Sequence, residues 1–122
     1  MNRTDLKQRT KQFTLRVMRL ISALPNTPQG WTISKQLMDS ASSVGANYRA
    51  VCRAKSDKDF VAKLGIVVEE ADESAYWLEL VVESEMLKEE LVQPLLVEAN
   101  EITAIMTASL VTVRKRLRKP AG

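Results

Sequence analysis

The side chains whose types and spacing come closest to chemistry are four carboxylates in one short run, Glu69, Glu70, Asp72 and Glu73. Glu69 and Glu73 stand four residues apart and Glu70 and Glu73 three apart, so one helix would present them together. A di-metal helical bundle needs a Glu-x-x-His element and matching ligands on other helices. The 122-residue chain has no histidine, and no second carboxylate set faces the first. Solvated charge, or pairing with Arg or Lys of another subunit, is the expected use of the run. Cys52 is the single cysteine. It falls on an apolar helical register without a histidine to take its proton, which predicts a buried, inert thiol and excludes an internal disulfide. Zinc sites and histidine-based acid–base or nucleophilic catalysis are excluded with it. Gly45 and Gly65 lie inside helical patterns with no preceding strand, so they predict close helix packing rather than phosphate loops. Tyr76 and Trp77 could stack a ligand, but their register assigns them to packing. The chain is expected to be no enzyme, with no metal and no cofactor.

Charge is the second chemical resource. The net value is +3, but residues 1–30 hold six basic and one acidic side chain and residues 31–55 hold four and one. Residues 56–93 reverse this with three and eleven, and residues 94–122 return to five and two. Arg3, Lys7, Arg9, Lys11, Arg16, Arg19, Arg49 and Arg53, with the tail cluster Arg114, Lys115, Arg116, Arg118 and Lys119, could each meet a phosphate or an acidic partner. Such contacts release counterions and give salt-sensitive, sequence-independent affinity. The same charges serve equally as solvated faces that keep the protein soluble. No aromatic ladder accompanies them, so nothing supports a reader of single strands.

Four helices are expected to position these groups. The length suits one domain with a single core, and only four Gly and four Pro stand among abundant Ala, Leu, Val, Glu and Lys. The first helix is predicted over residues 5–24, capped by Asp5 or Thr4, with Leu6, Phe13, Val17, Leu20, Ile21 and Leu24 on one arc. The segment from Pro25 through Pro28 to Gly30 reads as a break. A second helix over 31–54 turns Ile33, Leu37, Ala41, Val44, Tyr48, Val51 and Cys52 inward. Ser56 is a good N-cap for a third over 57–83, with Asp57 and Asp59 in its positively polarised first turn. Phe60, Leu64, Val67, Ala71, Ala75, Leu78 and Val82 form its core stripe, while Ile66, Trp77 and Leu80 fall off it.

The fourth helix is predicted over 90–117, with Pro94 near its first turn and Leu95, Ala99, Ile102, Met106, Leu110, Val113 and Leu117 as its stripe. Between residues 95 and 113 only Glu98 and Glu101 are charged. A helix so apolar all round is buried on more than one side, which a lone four-helix subunit does not provide. An oligomer is therefore expected, with Ile66, Trp77, Leu80, Leu96, Val97 and Val111 in the contact. Residues 114–122 form a basic tail expected to fray. No signal peptide and no membrane span are read from the sequence, so the expected location is cytoplasmic.

Three ordered motifs carry a family resemblance. They are Ser43-Val44-Gly45-Ala46-Asn47-Tyr48, then Ser56-Asp57-Lys58-Asp59-Phe60, then Glu70-Ala71-Asp72-Glu73-Ser74-Ala75-Tyr76-Trp77-Leu78. The sequence resembles, over essentially its whole length, the four-helix-bundle family encoded in intervening sequences of bacterial 23S ribosomal RNA genes. Relatives of that family include accessory proteins of diversity-generating retroelements. The resemblance implies an all-α, antiparallel up-down-up-down bundle assembling as a homo-oligomeric ring, a pentamer where assembly is known. Retroelement relatives bind a reverse transcriptase and nucleic acid, so RNA, DNA or a protein is the implied partner. This chain departs from the pattern with Ala50 where a Glu is frequent. It also carries Glu69, Asp72 and Ala75 where basic residues are common, which makes its third helix acidic. The function expected is a non-catalytic accessory protein that binds nucleic acid, or a nucleic-acid-processing partner, through its basic surface. The alternative is an oligomeric scaffold that binds protein alone.

Overall fold

The computed structural model describes residues 1–118, so Lys119 and the last part of the expected tail lie outside the described residues. It contains four helices and, among the described residues, no strand: α1 Arg3–Ile21, α2 Pro28–Val51, α3 Asp57–Glu83 and α4 Glu89–Arg118. Each helix packs against the next, and α4 closes back on α1 along the thinnest of the four seams. On α1 and α2, Thr14 Oγ1 donates to the Ala41 carbonyl at 2.9 Å, while Thr10 faces Gly45, so numbers rise along one helix as they fall along the other. Ser74 Oγ meets Ser40 Oγ at 3.0 Å between α3 and α2. Arg116 near the end of α4 reaches Asp57 at the start of α3, and Arg9 of α1 reaches Glu98 and Glu101 of α4.

Helix starts differ from the expected ones where a cap was misread. Asn2, rather than Thr4 or Asp5, caps α1 by accepting from the Asp5 amide at 2.8 Å. α2 begins at Pro28 because Thr27 supplies the cap and a proline at the first helical position loses no hydrogen bond. The predicted break therefore ends three residues early, and Gly30 belongs to the first turn. Both α1 and α2 also stop three residues before the expected 24 and 54. Ser56 caps α3 as expected. The turn from α3 to α4 places Glu85 at φ 61, a left-handed residue just past the helix that returns its amide to the Val82 carbonyl at 3.0 Å. Pro94 sits inside α4, beyond its first turn, without ending the helix.

The core follows the predicted stripes closely. Phe13, Val17, Leu37, Val44, Leu64, Val67, Leu78, Ile102 and Met106 are each at most 1% exposed. Ile21, Leu24, Cys52 and Phe60 are only half-buried, and three further positions differ. Val81, not Val82, is the fully buried residue near the end of α3, and Val92 extends the α4 stripe one turn earlier. Leu117 is 48% exposed because α4 outruns the bundle there. Trp77, Leu80 and Leu96, expected to stand off the core, are half-buried against its margin. α3 packs on both α2 and α4, which widens the arc it buries.

Gly65 also departs from expectation. A Cβ there would meet nothing within 4 Å, so no close approach inside the subunit requires it. Gly45 does face α1, but at ordinary contact distance, with Thr10 Oγ1 3.5 Å from the built Cβ. Gly65→Ala is expected to raise subunit stability by about 0.5–1 kcal/mol, the propensity difference between the two residues. Chemical denaturation checks this; no gain, or a loss, would contradict an open site at Gly65.

Candidate nucleic-acid interface

The helix directions bring together basic residues that are far apart in sequence. Residues near the start of α1, the end of α2, the start of α3 and the later turns of α4 come together in one place. Two observations locate it. Arg116 Nη2 lies 3.3 Å from Asp57 Oδ1, and Arg3, Tyr48, Phe60 and Ser109, one from each helix, line one pocket. Arg3, Arg49, Arg53, Arg114, Lys115, Arg116 and Arg118 are consequently gathered at this end, and Lys55 and Lys58 join them. Those last two lysines were missed in the sequence because they border the acidic segment; their place beside the α2–α3 turn is the signal. Cations at the ends of α2 and α4 also oppose the negative pole of each helix.

A groove of about 440 Å³ runs from this end between α1 and α2. Lys7, Lys11 and Arg49 line it with Gln8, while the Thr14 and Ser42 hydroxyls on its walls donate to backbone carbonyls of Ala41 and Asp39, and Gly45 and Ala46 lie on its floor. The small side chains of α2 keep the floor low enough for the three cations to stand above it. Lys7, Lys11 and Arg49 are all exposed, free to meet an anion without first being stripped from the core.

Other predicted contacts lie elsewhere. Arg9 is already engaged: its Nε and Nη2 donate to the two oxygens of Glu98 at 2.8 and 2.7 Å, and Nη2 also reaches Glu101. The hydrogen bonds to Glu98 hold the guanidinium firmly charged, against a partial burial that opposes it. Its role is therefore to close the thin α1–α4 seam, and it is withdrawn as a phosphate contact. No sequence spacing signals this pair, since 89 residues separate Arg9 from Glu98. Arg9→Ala strands Glu98, whose side chain is only 15% exposed. We expect a loss of about 2 kcal/mol, in the range for a charge left without its partner. Thermal unfolding checks it, and an unchanged Tm would show that the ion pair does not hold the seam. Arg16 and Arg19 border a separate depression with Leu87, Leu91 and Pro94, toward the opposite end of the bundle. Arg116 is partly neutralised by Asp57, although both are about half exposed and the pair is weak.

The acidic run falls on the outer surface of α3, where Glu69, Glu70, Asp72, Glu73 and Tyr76 line a shallow depression. All belong to one helix, and among the described residues no three potential ligands cluster to hold a metal. The Glu70 carboxyl is raised above its ordinary range, by burial first and then by repulsion from Glu73, Glu69 and Asp39. A folded-state pKa that is raised makes the charged form destabilising, so stability falls as pH rises through the carboxylate range. Glu70→Gln should thus stabilise the protein at pH 7 by about 0.2–0.5 kcal/mol per repulsive pair and give no gain once the carboxylates are protonated. Unfolding curves at both pH values check the sign. Among the described residues Trp77 Nε1 is buried without an acceptor, and the indole packs edge-on to Tyr76 with ring centroids 5.0 Å apart. Cys52 is partly buried at the end of α2 beside Tyr48, whose hydroxyl burial pushes up to about 12.

Residues 2–108 match the family model described as 23S rRNA-intervening sequence protein. The chain belongs to this family. A solved structure from Bacteroides thetaiotaomicron VPI-5482, a protein of unknown function from the S23 ribosomal protein family, shares its fold. The two are 32% identical with a TM-score of 0.79, over 86% of this chain and 97% of that one. A comparison with curated proteins finds no match. Neither description names a catalytic activity for the family or for the neighbour.

Proposed function

We propose that this member of the family is a non-catalytic accessory protein that binds RNA or DNA, or an acidic surface of a nucleic-acid-processing partner, through the basic end of its bundle. One observation carries the reading. The helix order brings basic residues from both ends of the sequence to one end of the molecule, continuous with the Lys7–Lys11–Arg49 groove. Phosphates spaced along a backbone are the natural complement of cations strung along a groove. The segregation is two-sided, since Glu83, Glu85, Glu89 and Glu90 mark the opposite end and the α3 face is acidic. An anionic polymer would thus be drawn to the basic end in preference to the acidic α3 face.

The subunit is read as an up-down-up-down antiparallel bundle, supported by the contacts of Thr14 with Ala41, Ser74 with Ser40 and Arg116 with Asp57. It is further proposed to assemble as a homo-oligomeric ring in the cytoplasm. Val97, Ala104, Ala108 and Val111 form an exposed apolar line on α4, and Ile66 is 44% exposed on α3. α4 is also long and apolar enough to cross a bilayer by length and composition alone. Its inner stripe completes the core of the bundle, so the outer line is assigned to a neighbouring subunit rather than to lipid. A protein-only scaffold is the second reading, favoured by this same apolar line.

Gel shifts with RNA and with DNA at about 50 and 200 mM salt separate the two readings. Retardation at low salt that weakens at high salt is expected, and its absence from a folded protein would leave the scaffold. Light scattering at micromolar concentration tests the assembly; a monomer would overturn the proposed ring.

A further inference from the structure

The α1–α2 groove and the outer face of α3 are opposite in charge. Lys7, Lys11 and Arg49 line the groove, and no carboxylate joins them. Glu69, Glu70, Asp72 and Glu73 line the depression on α3 with Tyr76, and no cation joins them. None of these charged side chains has an ion-pair partner among the described residues. Burial, and then repulsion from Glu73 and Glu69, raises the Glu70 carboxyl. The two surfaces do not meet within one subunit, because α1 and α3 stand diagonally across the bundle without touching. Their spacing also matches. On α1, Lys7, Lys11 and Leu15 follow at four-residue steps, and Leu15 is 36% exposed. On α3, Glu69, Glu73 and Tyr76 form one row with steps of four and three, and Tyr76 is 52% exposed. Each row advances about 5–6 Å per step. Thr14 meets Ala41 and Thr10 faces Gly45, so Arg49 lies across the groove from Lys7 and Ser42 across from Thr14. Gly65, one turn before Glu69, leaves the α3 face open, since a Cβ there would meet nothing within 4 Å.

We infer that the α3 face of a second copy of this chain docks in the α1–α2 groove and competes there with nucleic acid. With α3 of the copy parallel to α1, Glu69 meets Lys7 and Arg49, Glu73 meets Lys11, and the Tyr76 ring packs on Leu15 beside Ser42. Opposite charges across such a contact fix its register and orientation. Each exposed ion pair is weak, so a polyanion that offers phosphates to the same cations displaces the docked copy readily. The contact joins two different surfaces head to tail and can repeat from copy to copy. It is separate from the apolar line on α4, where Val97 and Val111 are exposed. The docking stands apart from the nucleic-acid reading above; only the competition rests on it.

Disulfide trapping tests the docking on the full chain, with Cys52→Ser removing the native thiol. A chain carrying Ser42→Cys, mixed with one carrying Tyr76→Cys and oxidised, should give a linked dimer of the two. The same Ser42→Cys chain mixed with one carrying Glu89→Cys, exposed at the start of α4, is the control for random collision. Lys7→Glu with Lys11→Glu in the first chain should lower the yield by about tenfold or more, because like charges then face each other. Glu69→Lys with Glu73→Lys in the second chain should restore it. A yield no higher than the control, or one indifferent to charge reversal, would overturn the docking. A short oligonucleotide that binds the protein should suppress the link in proportion to its occupancy; one that binds without suppressing it would overturn the competition. If no oligonucleotide binds a folded protein, the competition falls with the nucleic-acid reading, and the trapping still decides the docking.

Discussion

Reversing three charges in the α1–α2 groove, with Lys7→Glu, Lys11→Glu and Arg49→Glu combined, should weaken nucleic-acid binding at about 0.1 M salt by ~10²-fold or more. Each phosphate contact contributes nearly one unit to the slope of log affinity against log salt, so three lost contacts also flatten that slope by about two to three. The three side chains line one groove and are exposed, and none has a salt-bridge partner among the described residues. Their substitution should therefore leave the fold alone, and circular dichroism with an unchanged Tm is the control. The same reversal at Arg16 and Arg19 should do far less, because those residues border the depression with Leu87 and Leu91, away from the groove. Equal losses from the two sets would mean that overall charge, rather than the position of the groove, governs binding.

Gly30→Ala should cost about 2–3 kcal/mol. An alanine Cβ at this position would stand 2.0 Å from the Pro25 carbonyl oxygen and 3.1 Å from its carbon. Those are backbone atoms, so the chain between α1 and α2 must move, and Thr27, whose Oγ1 accepts from the Gly30 amide at 3.1 Å, moves with it. Inside an ordinary helix the same change gains up to about 1 kcal/mol. Overpacking of a well-filled site costs about 1–3 kcal/mol, and loss of an N-cap about 1 more. Urea denaturation with an unchanged m-value checks it, and a neutral or stabilising result would contradict the tight turn.

The same glycine shows where local sequence signals run short. Pro25, Pro28 and Gly30 read as a helix-breaking cluster, yet Thr27 and Pro28 together form a good helix start. Breakers and starters share residue types, and only the cap geometry distinguishes them. The helical stripes were legible because burial repeats with the helix period, and Phe13, Leu37, Leu64 and Ile102 are buried as that period requires. Gly65 misled because a small residue in a helix signals a close approach only when something approaches, and nothing in the subunit does.

The candidate site was legible as composition but not as a place. Runs of Lys and Arg at both ends of the sequence were plain. Which cations act together depends on helix direction, and this separates Arg16 and Arg19 from Lys7, Lys11 and Arg49. It also depends on long-range pairing. Arg9 had the same appearance as its neighbours, and only the approach of α4 turns it into a structural ion pair with Glu98. Lys58 shows the converse, since a residue assigned to the acidic segment 56–93 belongs to the basic end.

Ultraviolet cross-linking of a photoreactive single strand, followed by peptide mapping of the full chain, tests the gathering of these residues most directly. The account predicts adducts from all four helices but only from their shared end: the starts of α1 and α3 and the last turns of α2 and α4. Adducts confined to residues 69–76 of α3 or to the turn between α3 and α4 would contradict it, as would none from a folded protein at low salt.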